Sequence, residues 1–194
     1  MKYKEIRPLL KTGDLILFRG KGFISNLIQL VTLSEWSHVG LVLNLREYDF
    51  VVLWESTTLS TEKDLKTKKL RKGVQLCQLS SKLANYRGSF AVKRLNIPVE
   101  LAEHKLVDLR IKLNDRDYER SYNELFKSAY DWWGGKNKED LSSVFCSELV
   151  VEAYKELGLL GDVQSNEYTP ADLGRLTKLK GGYSLSAPIY FDYV

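Results

Sequence analysis

The 194 residues hold two cysteines and two histidines, so thiol chemistry here has few parts to draw on. Cys146 stands in Val144-Phe-Cys-Ser-Glu-Leu-Val-Val151, at the head of a run with helical apolar spacing. With Ser143 as N-cap, Cys146 falls in the first helical turn, where unpaired N–H groups converge and the dipole favours an anion. Such a position favours thiolate, the nucleophilic form, and the same amides can donate to an oxyanion in acyl transfer. Cys146, Val150, Ala153 and Leu157 share one inward stripe. A lone cysteine on an apolar stripe is also an ordinary small core residue. Cys77, in the middle of a strand-like run, is read as packing.

A thiolate nucleophile needs a base. Ser37-His38-Val39-Gly40 opens a strand-like run, which places an imidazole at a sheet edge where it can face a cleft. The other histidine, His104, lies among charges in a helical pattern and calls for no chemistry. Two strand-like runs, 39–44 and 50–54, flank Arg46-Glu47. If they pair around those two residues, opposed numbers sum to 93 and His38 lies opposite Glu55. Opposed residues share a face with Cβ atoms about 4.5–5.5 Å apart, so the carboxylate can hold one ring nitrogen and fix the tautomer. A bulge would shift this register and break the relation. Cys146, His38 and Glu55 then form a nucleophile, base and orienter. The expected reaction is thiolate attack on an amide, ester or thioester carbonyl. Ser37 is a candidate substrate-side donor through its closeness to His38.

The elements that must carry these groups follow from pattern. Residues 15–18 form a short apolar strand after Gly13-Asp14, and a helix is expected over 23–32. Strands are expected over 74–79 and 90–95, the former with half-buried alternation. Helices are expected over 100–112 and 118–129. The best helix runs over 143–157 and stops at Gly158. Thr169-Pro170 starts a short helix with proline at a favoured first position, and 184–193 supplies a last strand. No repeat or linker divides residues 1–194, which read as a single catalytic domain.

These residues resemble the permuted papain-like branch of the NlpC-type cysteine hydrolases, the group of YiiX- and YebB-like proteins. The matching stretches are Thr12-Gly-Asp-Leu-Ile-Leu-Phe18, Trp36-Ser-His-Val-Gly-Leu-Val42, Glu55, Tyr130-Asp131, Phe145-Cys-Ser-Glu-Leu-Val150 and Thr169-Pro-Ala-Asp-Leu173. The resemblance implies an α+β, circularly permuted papain-like fold, with an antiparallel sheet or partial barrel packed against helices. It carries the nucleophile to Cys146, the base to His38 and the third polar role to Glu55. The cysteine follows the histidine, which marks the permuted order. The group includes amidases and peptidases as well as lipid acyltransferases of the lecithin-retinol type. The sequence reading therefore expects a cysteine amidase or peptidase acting on a small peptide-like or lipid-linked amide. Two alternatives stand beside it: a lipid acyltransferase or phospholipase, and a non-catalytic binding domain on the same scaffold.

Other features narrow the classes. Net charge is only +4, and the basic residues are not interleaved with aromatics as in nucleic-acid modules, so no nucleic-acid partner is expected. Lys63, Lys66, Lys68, Lys69, Arg71 and Lys72 read as a solvated loop, with peripheral membrane contact as the functional alternative. Tyr130, Trp132 and Trp133 precede Cys146 and are candidates for a substrate wall, with packing as the alternative. Single, scattered Cys and His residues show no zinc spacing, so neither metal nor cofactor is expected. The opening MKYKEIRPLLKTGD has no secretory apolar segment, and no run reaches the roughly 18 apolar residues of a span. A reducing, cytoplasmic setting is the expectation.

Overall fold

The computed structural model describes residues 1–21, 34–57, 61–70, 73–97, 106 and 142–194, with backbone alone for 142–145. The helices expected over 23–32, 100–112 and 118–129 lie outside these residues, apart from the buried, helical Leu106.

Six strands form one antiparallel sheet in the order β4-β3-β2-β1-β5-β8. They are β1 (Leu15–Gly20), β2 (His38–Leu45), β3 (Phe50–Thr57), β4 (Gly73–Gln78), β5 (Gly88–Lys93) and β8 (Ile189–Phe191). A two-residue pair, β6 (Leu95–Asn96) with β7 (Ser184–Leu185), lies beside it. The architecture is thus mixed α/β, a sheet packed against a few helices: α1 (Tyr3–Ile6), α2 (Leu79–Asn85), α3 (Ser142–Glu156) and α4 (Pro170–Arg175).

The strands are buried on both faces, and alternation sorts their side chains into two clusters. Leu15, Leu17, Val39, Leu41, Val52, Trp54 and Leu76 face α3, meeting Cys146, Val150, Ala153 and Tyr154. Ile16, Phe18, Val42, Leu53, Cys77 and Phe90 face the opposite way, meeting Leu79 and Leu83 of α2 and Ile6 of α1. Each fully buried aliphatic side chain contributes on the order of 1.5–3 kcal/mol, so the sheet is anchored from both sides.

The long helix ends as its sequence dictates. Gly158 takes φ +74°. The Gly158 amide donates to Lys155 O at 2.8 Å and Leu159 N to Tyr154 O at 2.8 Å, closing the helix with a Schellman pair. Thr169 caps α4: its Oγ1 accepts from Asp172 N at 3.3 Å, while Thr169 N donates to Asp172 Oδ2 at 2.9 Å. The lead-in is fixed by Asp14, fully buried, which accepts from Arg94 Nε at 2.8 Å and from Leu95 N at 2.7 Å. Tyr154 OH donates to Gly13 O at 2.8 Å, tying the same turn to α3.

Two expectations are corrected. Residues 74–79 are not all strand: the chain turns at Gln78 into α2, where Leu79, Lys82 and Leu83 show the i, i+3, i+4 spacing of one buried helix face. The final segment is two short strands rather than one, because β7 serves the small pair and β8 the edge of the main sheet. Among the described residues, no helix is long and apolar enough to cross a membrane. Of the basic cluster, Lys63, Lys66, Lys68 and Lys69 are exposed, and Arg71 and Lys72 lie outside the described residues.

Candidate functional site

His38 is the first residue of β2 and pairs with Phe18 near the end of β1. Paired residues share a face, and the two rings are in contact at a centroid distance of 5.4 Å. The strand start is pinned by Ser37. Its amide donates to Phe18 O at 2.9 Å, its hydroxyl donates to the same carbonyl at 3.3 Å, and it accepts from Gly20 N at 3.1 Å. Trp36 is buried just ahead and stacks on Tyr190 at 5.6 Å. The imidazole therefore leaves a fixed backbone, with 15% of its side chain exposed.

The hairpin register differs from the sequence arithmetic. Val42 pairs with Leu53 and Leu45 with Phe50, so opposed numbers sum to 95, not 93. The turn takes residues 46–49, with Asp49 in the left-handed region at φ 47°. Continued along the strands, the ladder sets Gly40, not His38, opposite Glu55. The slip is even, however, and an even slip leaves every side chain on its face. Glu55 reaches His38 along the diagonal, and Oε2 lies 2.6 Å from Nε2. A side chain at position 40 would crowd this face: a Cβ there would stand 2.7 Å from Leu53 Cδ1.

Glu55 is fully buried, and its other oxygen is fully engaged. Oε1 accepts from Lys82 Nζ at 2.7 Å and from Gln75 Nε2 at 2.7 Å, and Cys77 Sγ is 3.7 Å away. Burial is the largest influence on this carboxyl and would raise its pKa. The Lys82 charge and the bonds from His38 and Lys82 together outweigh it and hold the group far below the usual carboxylate range. Cys77 is the opposite case: burial, then the Glu55 charge, pushes its thiol well up. That leaves Cys77 inert and supports its reading as a packing residue.

Cys146 comes from the other side of the sheet. It lies on α3 with the first cluster, fully buried, whereas His38, Glu55 and Lys82 belong to the face of the second. The two sets meet at the end of the strands, where His38 lies within electrostatic reach of the Cys146 side chain. Glu55 occupies Nε2, which leaves Nδ1 for the sulfur. Burial is the largest influence on His38 and disfavours the charged ring. The charge and hydrogen bond of Cys146, followed by those of Glu55, outweigh it and raise the imidazole from 6.5 to about 9. The arrangement can hold an imidazolium, oriented by Glu55, beside the Cys146 side chain.

The helix start corrects one detail. Ser142 is already helical, so Ser143 lies inside α3 rather than at its cap. Cys146 stands at least a full turn in, where its own N–H bonds the carbonyl four residues back. Free amides for an oxyanion belong to the turn before it.

Three further residues bear on the site. Tyr86 follows α2, stacks edge-on against Phe18 at 4.9 Å and hydrogen-bonds Ser37. Burial pushes its hydroxyl to about 12, so it stays a neutral donor within electrostatic reach of Cys146. Sequence reading missed Tyr86, Lys82 and Gln75. The apolar spacing around Lys82 was the available signal; Tyr86 carried none. Tyr130 and Trp132 lie outside the described residues. Glu148 is buried two residues after Cys146, and burial with the nearby Glu152 raises it to about 7. Among the described residues, no group of three or more His, Cys, Asp or Glu is arranged to hold a metal ion.

No protein-family profile and no curated protein matches the sequence. Among solved structures, the chain is similar to metalloprotein yiiX from Escherichia coli O157:H7, with 18% identity and a TM-score of 0.46, over 92% of this chain and 97% of that one.

Proposed function

We infer that the chain is a cysteine hydrolase, an amidase or peptidase with its catalytic groups in circularly permuted papain-like order. The observation that carries this reading is the place of His38, held by Glu55 at 2.6 Å and within electrostatic reach of the Cys146 side chain. A core cysteine packed for volume alone has no need of a buried imidazole. That imidazole has no need of a fully buried carboxylate unless its charge and tautomer matter.

The reaction follows from these atoms. The Cys146 sulfur attacks the carbonyl carbon of a small peptide-like or lipid-linked amide, forming an S–C bond and a tetrahedral oxyanion. The oxyanion collapses, the C–N bond breaks, and the departing nitrogen takes the proton from His38 Nδ1. Water then attacks the thioester, giving a proton back to Nδ1. The S–C bond breaks, and the carboxylic acid leaves with the sulfur–imidazolium pair restored. Glu55 keeps the proton on Nε2 throughout. Tyr86 supplies a neutral hydroxyl within electrostatic reach of Cys146.

The test is a panel of dipeptide and N-acyl amide substrates, with rapid acid quench and intact mass. The reading expects turnover and an acyl adduct on Cys146 that hydroxylamine removes. A panel without turnover, or an adduct on Cys77, overturns it.

A further inference from the structure

We propose that Lys82 is a positioning residue of this site: it neutralises Glu55, so that the Cys146 sulfur rather than the carboxylate is the counter-ion of the His38 imidazolium. The inference rests on the cysteine-hydrolase reading above and adds a residue to it.

The geometry is a line of polar groups. Lys82 Nζ lies 2.7 Å from Glu55 Oε1, Glu55 Oε2 lies 2.6 Å from His38 Nε2, and His38 lies within electrostatic reach of Cys146. Lys82 is 4% exposed and Glu55 not exposed at all, so little solvent screens the pair. A carboxylate held only by an imidazolium would attract the ring's positive charge more strongly and be its main counter-ion. With an ammonium on its other oxygen, the carboxylate still orients the ring but attracts its charge less. Lys82 is itself held, with its ammonium 5.9 Å from the Phe18 ring centroid and its helix seated on Leu79 and Leu83.

Among the described residues, the groups facing His38 come from four elements. Cys146 comes from α3, Glu55 from β3, the uncharged Phe18 ring from β1 and the neutral Tyr86 hydroxyl from the end of α2. Lys82 on α2, with Gln75 and Cys77 on β4, stands behind Glu55.

The test is a proton NMR titration of the imidazole Cε1–H signals, read with the pH profile of kcat/KM. Only two histidines are present, so His104→Gln assigns both signals. Lys82→Met removes a repelling charge and is expected to raise the His38 pKa by about one unit, carrying the alkaline limb of kcat/KM upward with it. Lys82→Arg restores both. If Lys82→Met does not fold, Lys82→Gln replaces it, since its amide can still donate to Glu55. A His38 titration that is unmoved or lowered by loss of the Lys82 charge overturns the proposal. So does a shift that Lys82→Arg fails to reverse. If His38 responds while Cys146→Ala retains full turnover, the hydrolase reading falls and the Lys82 coupling stands. If Cys146 is required but His38 ignores Lys82, the Lys82 proposal falls alone.

Discussion

Glu55 and His38 touch across a diagonal of the β2–β3 hairpin: the ladder sets Gly40 opposite the carboxylate, yet Oε2 is 2.6 Å from Nε2. Contact across a diagonal needs a long side chain on one strand and open space beside it on the other. Glutamate supplies the reach. Glycine at position 40 leaves the space that Leu53 fills.

Gly40→Ala is therefore expected to destabilise the protein by about 1–3 kcal/mol through crowding against Leu53. Urea unfolding measures it. The double variant Gly40→Ala with Leu53→Val should recover part of the loss, and equal stability of Gly40→Ala and wild type would contradict the packing described.

Cys146→Ala should abolish turnover while unfolding within a few degrees of wild type, since only one sulfur atom leaves the core. Cys77→Ala should keep activity. The reverse pattern, with Cys77 required and Cys146 dispensable, would move the nucleophile to the wrong thiol. Neither is in a disulfide, so neither variant breaks one.

Glu55→Gln should be costly in both respects. One amide oxygen cannot serve Lys82, Gln75 and His38 together, and the Lys82 ammonium is left buried without its counter-ion. Breaking a buried pair in this way costs on the order of 3–5 kcal/mol. A calorimetric melt reads the loss. A variant as stable as wild type would show the ion pair to be far more solvated than its burial indicates.

Stability should also depend on pH through His38. Its surroundings raise the folded imidazole from 6.5 to about 9. A raised folded pKa gives a contribution that is complete below 6.5 and lost as pH rises through 9. Wild type should therefore lose stability relative to His38→Gln between pH 6.5 and 9. A flat difference across that window would contradict the charged-ring assignment. Glu55, with its pKa depressed, acts at the other end: its contribution is present above the ordinary glutamate range and fades in strong acid.

Much of the site was legible in the sequence because it rests on alternation. His38, Gly40 and Val42 share a face by period two, as do Leu53 and Glu55, and that parity survived an error of two in the register. The error arose because a turn of four residues, with Asp49 left-handed, cannot be told from a tighter one by hydrophobic pattern. Lys82 escaped notice for a different reason. α2 is seven residues long and follows β4 directly, so the strand pattern absorbed its first residue and a lysine amid serines looked like surface. A charged residue becomes buried only when a partner from a distant strand neutralises it, and no local pattern records that. Ser143 reads as the N-cap because a serine just before an apolar run is the usual signal, yet Ser142 is already helical.

The central claim is that His38 governs the reactivity of the Cys146 sulfur, and alkylation reads it most directly. Wild type and His38→Asn would be treated with limiting iodoacetamide at pH 7, and the modified cysteine located and timed by peptide mass. The account predicts that Cys146 is labelled first in wild type and at least about tenfold more slowly in His38→Asn, with Cys77 unmodified in both. Equal rates at Cys146 with and without the imidazole would contradict it.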